Sequence, residues 1–219
     1  MTDKIKIDII SDISCPWFLV GYKRLEQAMN ELKVQDKFEI EWHPFELNPN
    51  ISPDGEDIVE YLGTKYGMSE SKVMSYQEDL QTKFAEVGFP FYFYKGKRVV
   101  STTNAHILLN YAKTIGKQTE LKLALFKANF ADDEDVSKRD VLEQIIKSIG
   151  LNEDEALRRL DDEQAKISIQ EEERHWQGKG ISAVPTMIFN NASMMNGAYP
   201  VGTYKQVLTE LLTKNLSLS

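Results

Sequence analysis

The stretch SDISCPWFLVG, residues 11–21, contains the only cysteine of the 219-residue chain. A segment of alternating apolar residues precedes it and a segment with helical spacing follows it, so Cys15 falls where a strand turns into a helix. Pro16 suits the first helical position, where its missing N–H costs nothing. Cys15 then becomes the N-cap residue, close to the free N–H groups of the first turn and the positive end of the helix dipole.

This position predicts a reactive thiol. The helix N-terminus favours the thiolate, so we expect the pKa of the Cys15 thiol to lie below its ordinary value. A thiolate is a nucleophile. The alternative is a buried structural cysteine, which behaves as a small apolar residue without a chemical role. A proline directly after the cysteine, at a strand-to-helix turn, favours the reactive thiol.

The composition is that of an ordinary globular protein, with 42% hydrophobic and 27% charged residues. A net charge of -8 and the lack of a basic patch argue against nucleic acid or an anionic membrane as partner. One cysteine cannot form an internal disulfide, which fits a reducing compartment. The N-terminal residues lack the features of a signal peptide, and no apolar run approaches the ~18 residues of a membrane span. We therefore predict a cytoplasmic protein.

Three segments near the N-terminus predict a parallel pair of strands. Residues 4–10, KIKIDII, alternate charged and apolar side chains, as in a strand with one buried face. Residues 21–32 have helical spacing, and residues 37–45, KFEIEWHPF, alternate again. Strand, helix and strand in this order form a βαβ unit, whose strands are parallel and whose crossover is right-handed.

The rest of the chain first becomes helical and then returns to strands. Residues 57–176 are almost wholly helical in pattern, and a long helix is expected to run from about Asn152 or Glu163 to Trp176. PTMIFN (185–190) and MMNG (194–197) predict a hairpin, and residues 201–214 predict an amphipathic final helix. The expected fold is α/β, with one mixed sheet built from both ends of the chain and a large all-helical insertion.

Taken together, these features resemble the DsbA family of thioredoxin-fold oxidoreductases. Within it the chain is most similar to the FrnE-like branch, which borders on the 2-hydroxychromene-2-carboxylate isomerases and kappa-class glutathione transferases. The matching stretches occur in the expected order: SDISCPW (11–17), PFELNP (44–49), NAHILL (104–109), GISAVPTMIFN (180–190) and NGAYP (196–200). They cover nearly the whole chain and are specific together, whereas Cys-Pro-Trp alone is a weak signal. The resemblance implies a discontinuous thioredoxin-like domain, residues 1–50 and 177–219, around a helical insertion domain, residues 51–176.

The resemblance also implies a binding site opposite the cysteine. Pro185 would be cis, and the backbone of Val184 would face Cys15 and accept an extended peptide or glutathione. From the residues alone the isomer stays open, because only about 5–6% of X-Pro bonds are cis. Thr186 belongs to the same implied site, as does His106, for which a packed histidine is the alternative. No tightly bound cofactor is expected and no metal site, because the histidine spacing matches none.

The chain departs from the dithiol members of the family at one position. Those members carry Cys-Pro-Trp-Cys, and this chain has Cys-Pro-Trp-Phe, so the active-site turn around Cys15 is formed by Ser14, Pro16, Trp17 and Phe18. Thiol–disulfide exchange proceeds through a mixed disulfide that a second thiolate breaks. Without a second cysteine an external thiol must do so, and the resemblance implies glutathione as this co-substrate.

Three functions follow from these features. The leading hypothesis is a thiol-disulfide oxidoreductase that acts on protein thiols and disulfides through Cys15, with glutathione as the resolving thiol. The second is a glutathione-dependent transferase or isomerase acting on a small electrophile. The third is a non-catalytic protein that binds peptides. The aromatic segment 89–94 is either core or the wall of an apolar substrate site. The related transferases are often dimers, so the resemblance also allows a homodimer.

Overall fold

A computed structural model describes residues 4–216 of the chain. Its helices and strands, in chain order, are β1 (Ile5–Ser11), α1 (Pro16–Leu32), a short 3-10 helix (Gln35–Lys37), β2 (Phe38–Pro44), β3 (Glu56–Asp57), α2 (Ile58–Tyr66), α3 (Glu70–Glu86), β4 (Arg98–Val99), α4 (Thr103–Thr114), α5 (Gln118–Phe130), α6 (Arg139–Ser148), α7 (Glu153–Leu160), α8 (Glu163–Gly178), β5 (Thr186–Phe189), β6 (Ser193–Asn196) and α9 (Val201–Leu216). Within residues 4–216 no helix is both long and apolar enough to cross a membrane.

The main sheet confirms the predicted mixed α/β fold. Its strand order is β2-β1-β5-β6, so both ends of the chain contribute to it. β1 pairs with β2 in parallel, with Ile5 opposite Phe38, and pairs with β5 antiparallel, with Ile9 opposite Met187. The predicted hairpin is formed by β5 and β6, which are antiparallel. The end of β1, where the cysteine turn begins, therefore lies next to the start of β5.

The prediction that β1 buries only one face is wrong. Asp8, on the face expected to be exposed, is only 2% exposed. The reason is the position of β1 between β2 and β5, where helices cover both faces of the strand. Burial of a carboxylate costs free energy unless it is paired. Asp8 is paired with His43, whose Nε2 lies 2.7 Å from Asp8 Oδ1, and with Lys6, whose Nζ lies 2.8 Å from the same oxygen.

The segment predicted as an all-helical insertion also contains strands. β3 and β4 form a two-stranded antiparallel ribbon, with Glu56 opposite Val99. Of the two starts predicted for the long helix that ends near Trp176, the structure confirms Glu163, where α8 begins with Asp162 as its N-cap. Its side chain accepts a hydrogen bond from the backbone N–H of Gln164 at 2.9 Å. The remaining elements of the segment are helical, as predicted.

A continuous hydrophobic core joins the two segments that the sequence divides into domains. Phe18 of α1 stacks on Phe126 of α5 with ring centroids 4.8 Å apart, and meets Trp42 of β2 edge-on at 4.9 Å. All three belong to one cluster of buried side chains. The helical segment thus packs directly against the sheet unit, and its division into a separate domain stays a prediction.

Phe18 should be a main contributor to stability. Its ring is fully buried, so Phe18→Ala leaves a cavity, and such substitutions cost about 3–5 kcal/mol of unfolding free energy. Urea denaturation measures this loss. Tyr92→Ala is the matched control, because Tyr92 is 52% exposed and its replacement should cost under about 1 kcal/mol. Equal and small losses in both variants would contradict the packing described.

Candidate active site

The structure places Cys15 at the N-cap of α1, which begins at Pro16 as the sequence predicts. The backbone N–H of Cys15 donates to the carbonyl oxygen of Asp12 at 3.2 Å. The thiol donates to the carbonyl oxygen of Val184, with 3.6 Å between sulfur and oxygen. The Val184–Pro185 peptide bond is cis. The chain thus brings its single sulfur against the backbone that the family resemblance implies.

The prediction of a lowered thiol pKa is wrong. Cys15 is only 4% exposed, and burial raises the pKa of its thiol to about 12. The first-turn N–H groups of Phe18 and Trp17 and the charge of Lys122 act in the opposite direction, while the charge of Asp12 acts with burial. Loss of hydration around the sulfur therefore outweighs the helix N-terminus. The residues around Cys15 do not predict this burial, because it depends on parts of the chain far away in sequence, such as Val184.

A cavity of about 470 Å³ opens beside the cysteine. On one side it is lined by Ser14, Cys15, Pro16 and Trp17, and Val184 completes this side. The opposite wall comes from the inserted segment and is mainly apolar and aromatic, with Tyr61, Leu62, Tyr66, Met68, Tyr76, Phe91 and Phe130 as its larger side chains. The sulfur therefore lies at the boundary between the sheet unit and the inserted segment.

A side-chain hydrogen bond joins the two walls of this cavity. Trp17 Nε1 donates to the hydroxyl oxygen of Tyr76 at 2.8 Å.

The aromatic segment 89–94 divides between the two roles proposed for it. Phe91 lines the cavity, Phe89 packs on the buried Phe84 with ring centroids 6.1 Å apart, and Tyr92 is exposed.

Asp12 supports the cysteine turn through hydrogen bonds from three parts of the chain. Its carboxylate accepts hydrogen bonds from the Ser14 hydroxyl at 2.7 Å, the Leu47 backbone N–H at 2.7 Å and the Thr102 hydroxyl at 2.7 Å. Burial raises the pKa of Asp12, but the nearby His106 and the hydrogen bonds from Leu47 and Ser14 outweigh it, so the pKa lies below its ordinary value. Asp12 is therefore a buried, ionised anchor that our sequence reasoning missed. Its position three residues before the cysteine, at the end of a strand, was the available signal.

Four of the predicted site residues do not line the cavity. Pro185 is buried, and only Val184 of the cis peptide reaches the cavity. Phe18 lies in the turn, but its ring is in the core. Thr186 is 1% exposed, and its hydroxyl donates to the Ala183 carbonyl at 2.7 Å, with Asn196 Oδ1 at 2.8 Å. His106 is 1% exposed, and burial lowers its pKa. Thr186 and His106 thus shape the loops around the site without facing the space where a substrate would bind.

Lys122 is a second residue that the sequence reasoning missed. It lies on α5, is fully buried, and its Nζ has no hydrogen-bond partner within residues 4–216. Burial lowers its pKa to about 7, against the opposing charges of Asp12 and Cys15. The signal in the sequence is the spacing, since Lys122 precedes Phe126 by four residues and so shares its helix face.

A polar cluster at the edge of the sheet is satisfied by its own ion pairs. Oxygen and nitrogen atoms of Asp8, Glu41 and His43 lie within 4.8 Å of one another, a spacing that could hold a metal ion. Lys6 Nζ already bonds Asp8 at 2.8 Å and Glu41 at 2.7 Å. Burial lowers the pKa of His43, but its hydrogen bonds with Asp8 and Glu172 outweigh this and raise it. We interpret the cluster as a salt-bridge network.

Comparison with known proteins identifies the family. A family model described as the DSBA-like thioredoxin domain matches residues 6–209, and the chain therefore belongs to this family. A probable DsbA oxidoreductase from Streptomyces coelicolor is 30% identical and superimposes with a TM-score of 0.87, over 94% of this chain and 89% of that one.

Two more distant structures share the fold. A 2-hydroxychromene-2-carboxylate isomerase is 16% identical, with a TM-score of 0.73 over 98% of this chain and 99% of that one. The cytosolic disulfide reductase DsbM from Pseudomonas aeruginosa, solved with GSH, is 16% identical, with a TM-score of 0.65 over 95% and 99%. The predicted resemblance to the DsbA family is confirmed by the family match and by the Streptomyces coelicolor structure.

The buried state of the sulfur can be tested directly. Because the pKa of the Cys15 thiol is raised, we expect iodoacetamide to alkylate the folded protein at pH 7.5 at least about 100-fold more slowly than the same chain unfolded in urea. Intact mass follows both reactions at Cys15 alone, since the chain has one cysteine. The difference between the two alkylation rates should become smaller as the pH rises toward the raised pKa of the folded thiol. Equal rates at pH 7.5 would contradict the burial.

Proposed function

We propose that the protein is a glutathione-linked thiol oxidoreductase in which Cys15 is the only redox-active thiol. The observation that carries this proposal is the 3.6 Å contact between the Cys15 sulfur and the Val184 carbonyl oxygen, beside the cavity. It places a thiol next to a backbone group that can bind an extended peptide. The membership in the DSBA-like family supports thiol chemistry, and the DsbM neighbour, solved with GSH, supports glutathione as the co-substrate.

The reaction proceeds in two exchanges. The Cys15 thiolate attacks the glutathione sulfur of a mixed disulfide, RS–SG, and the S–S bond breaks. RS⁻ leaves with the electron pair and takes up a proton, and Cys15 is left joined to glutathione. The thiolate of a second glutathione attacks the glutathione sulfur of this adduct and releases the Cys15 thiolate. The substrate is reduced to RSH, and oxidised glutathione is formed.

Phe18 explains why the second thiol must come from outside. It stands where dithiol relatives carry the resolving cysteine, and its ring is fully buried between Phe126 and Trp42. No other thiol exists in the chain. The mixed disulfide on Cys15 therefore persists until a small thiol reaches it through the cavity. A reducing cytoplasm, the predicted compartment, would supply this thiol.

The Val184 carbonyl gives the substrate a means of activating the buried thiol. Its hydrogen bond with Cys15 is made only by the protonated sulfur, and so favours the thiol. A peptide backbone that donates its own N–H to this carbonyl competes with the S–H group. The first-turn N–H groups of Trp17 and Phe18, which favour the thiolate, are then opposed by one hydrogen bond fewer. Glutathione and extended peptides carry the required N–H groups.

The shape of the cavity favours a second candidate function. Because Cys15 is only 4% exposed and lies beside an aromatic wall, its sulfur is more accessible to a small apolar molecule than to a folded protein. Such a site would suit a glutathione-dependent transferase or isomerase, in which Cys15 and Ser14 position glutathione rather than exchange disulfides. The fold shared with 2-hydroxychromene-2-carboxylate isomerase is consistent with this candidate.

Oxidised glutathione distinguishes these functions. We expect intact mass to show one glutathione adduct after incubation with oxidised glutathione, its absence in Cys15→Ser, and its removal by reduced glutathione. Bis(2-hydroxyethyl) disulfide is the matched reagent, because it has a disulfide but no peptide N–H. Each rate is divided by the rate of the same reagent with the urea-unfolded chain. After this correction, bis(2-hydroxyethyl) disulfide should react at least about tenfold more slowly than oxidised glutathione, which corresponds to one unit of thiol pKa.

Other outcomes assign the other functions. No adduct on the wild type, together with glutathione binding to Cys15→Ser in calorimetry, would favour the transferase or isomerase. Neither adduct nor binding would exclude both enzymatic functions and leave a peptide-binding protein. Equal corrected rates for the two disulfides would contradict the role of the Val184 carbonyl.

A further inference from the structure

Lys122 carries an amine that the surrounding protein encloses completely. Its side chain is 0% exposed, and no polar group within residues 4–216 is bonded to Nζ. The atom lies over three aromatic rings, 5.4 Å from the centroid of Phe18, 5.6 Å from Phe126 and 5.9 Å from Trp42. Aromatic faces attract a cation without hydrogen bonds, and more strongly where water is excluded. The three rings thus form a cage suited to an ammonium group.

The cage lies directly behind the cysteine turn. Phe18 is one helical turn after Cys15, and its backbone N–H donates to the Cys15 carbonyl at 3.3 Å. The ring of Phe18 therefore connects the turn that holds the sulfur to the amine of Lys122. Since the residues between them are buried, a charge on Lys122 acts on the sulfur through a medium of low polarity, where electrostatic interactions are strong.

We propose that Lys122 is a positioning residue for the thiol chemistry: its caged ammonium stabilises the negative charge that develops on the Cys15 sulfur. This inference rests on the proposed function of Cys15. The sulfur carries that charge twice in the proposed reaction, as the attacking thiolate and as the leaving group when the mixed disulfide is resolved. The chain has no second cysteine that could stabilise the thiolate. The charge of Lys122 acts on the Cys15 sulfur instead.

Proton counting shows why an amine suits this task. A thiolate with an ammonium contains the same number of protons as a thiol with a neutral amine. When the thiol proton moves to a neutral Lys122 amine, the sulfur becomes negative without any change in the net charge of the buried site. A buried thiolate without such a partner would bear the full cost of an unpaired charge.

The other ionisable groups around Lys122 come from three neighbouring parts of the fold. Asp12 and Cys15 belong to the turn after β1, and their negative charges raise the pKa of the amine against its burial. His106 on α4 and His43 on β2 line the same small void as Lys122. Burial lowers the pKa of His106, which leaves it neutral near pH 7.

The pH dependence follows from the direction of these effects. Burial lowers the pKa of Lys122 to about 7, so the amine is largely charged below that pH while Cys15 is still a thiol. Its charge then favours the thiolate most. As the pH rises the amine loses its proton, and the reactivity of Cys15 approaches that in a variant without the amine. A pH profile of Cys15 reactivity therefore reports on the charge of Lys122.

Lys122→Met removes the amine and keeps a long side chain. We expect iodoacetamide to alkylate Cys15 in this variant at least about tenfold more slowly than in the wild type at pH 6.5, with the rates converging toward pH 9.5. The thermal midpoint should not fall, since an unpartnered buried amine is replaced by an apolar group. Lys127→Met is the matched control, because Lys127 is on the same helix and 60% exposed, and its profile should equal that of the wild type.

Two results would overturn the proposal. One is an unchanged pH profile in Lys122→Met; the other is a decrease that is equal at every pH, which would indicate altered packing. Should Lys122→Met fail to fold, Phe126→Leu decides, because it removes one ring of the cage. The alkylation rate of this variant, divided by that of the wild type, should be about threefold lower at pH 6.5 than at pH 9.5. This result supports the proposal, and an unchanged pH profile refutes it. A wild type that forms no glutathione adduct would refute the proposed function instead, whatever the alkylation profile.

Discussion

The buried carboxylate of Asp12 is the constraint on which the candidate site depends. It holds the Ser14 hydroxyl, the Leu47 backbone N–H and the Thr102 hydroxyl, each at 2.7 Å. These three donors belong to the cysteine turn, the segment after β2 and the start of α4. One ionised group thus ties the sheet unit to the inserted segment. Because the group is buried, each donor would be left without its partner if the carboxylate were removed, and unpaired buried donors are costly.

This anchor fixes both the position of the sulfur and its electrostatic surroundings. Cys15 is held against the Val184 carbonyl, and its sulfur is almost completely removed from water. Burial and the negative charge of Asp12 keep the thiol protonated, whereas the first-turn N–H groups and Lys122 favour the thiolate. Under the proposed function, this balance protects the sulfur from indiscriminate oxidation and makes its reactivity depend on what binds at Val184. A single-cysteine site gains selectivity from this balance, since it has no second thiol to reverse an unwanted adduct.

Local sequence signals predicted the parts of the structure that depend on neighbours along the chain. Alternation predicted β1 and β2, and the position of Pro16 predicted Cys15 as an N-cap. What the sequence reasoning missed depends on contacts distant along the chain. Burial of Asp8 follows from strand order, and the raised pKa of Cys15 follows from the helices packed over it. The proposed roles of Asp12 and Lys122 likewise require knowing which segments meet behind the cysteine turn.

The most direct test of this account is the stability of Asp12→Asn. The amide keeps the size of the carboxylate but replaces one acceptor oxygen with an N–H₂ group that faces other donors. We expect urea denaturation at pH 7 to show a loss of about 3–5 kcal/mol of unfolding free energy, as for other broken buried charge networks. A loss below about 0.5 kcal/mol, typical of surface substitutions, would show that the cysteine turn is held without Asp12 and would contradict the account.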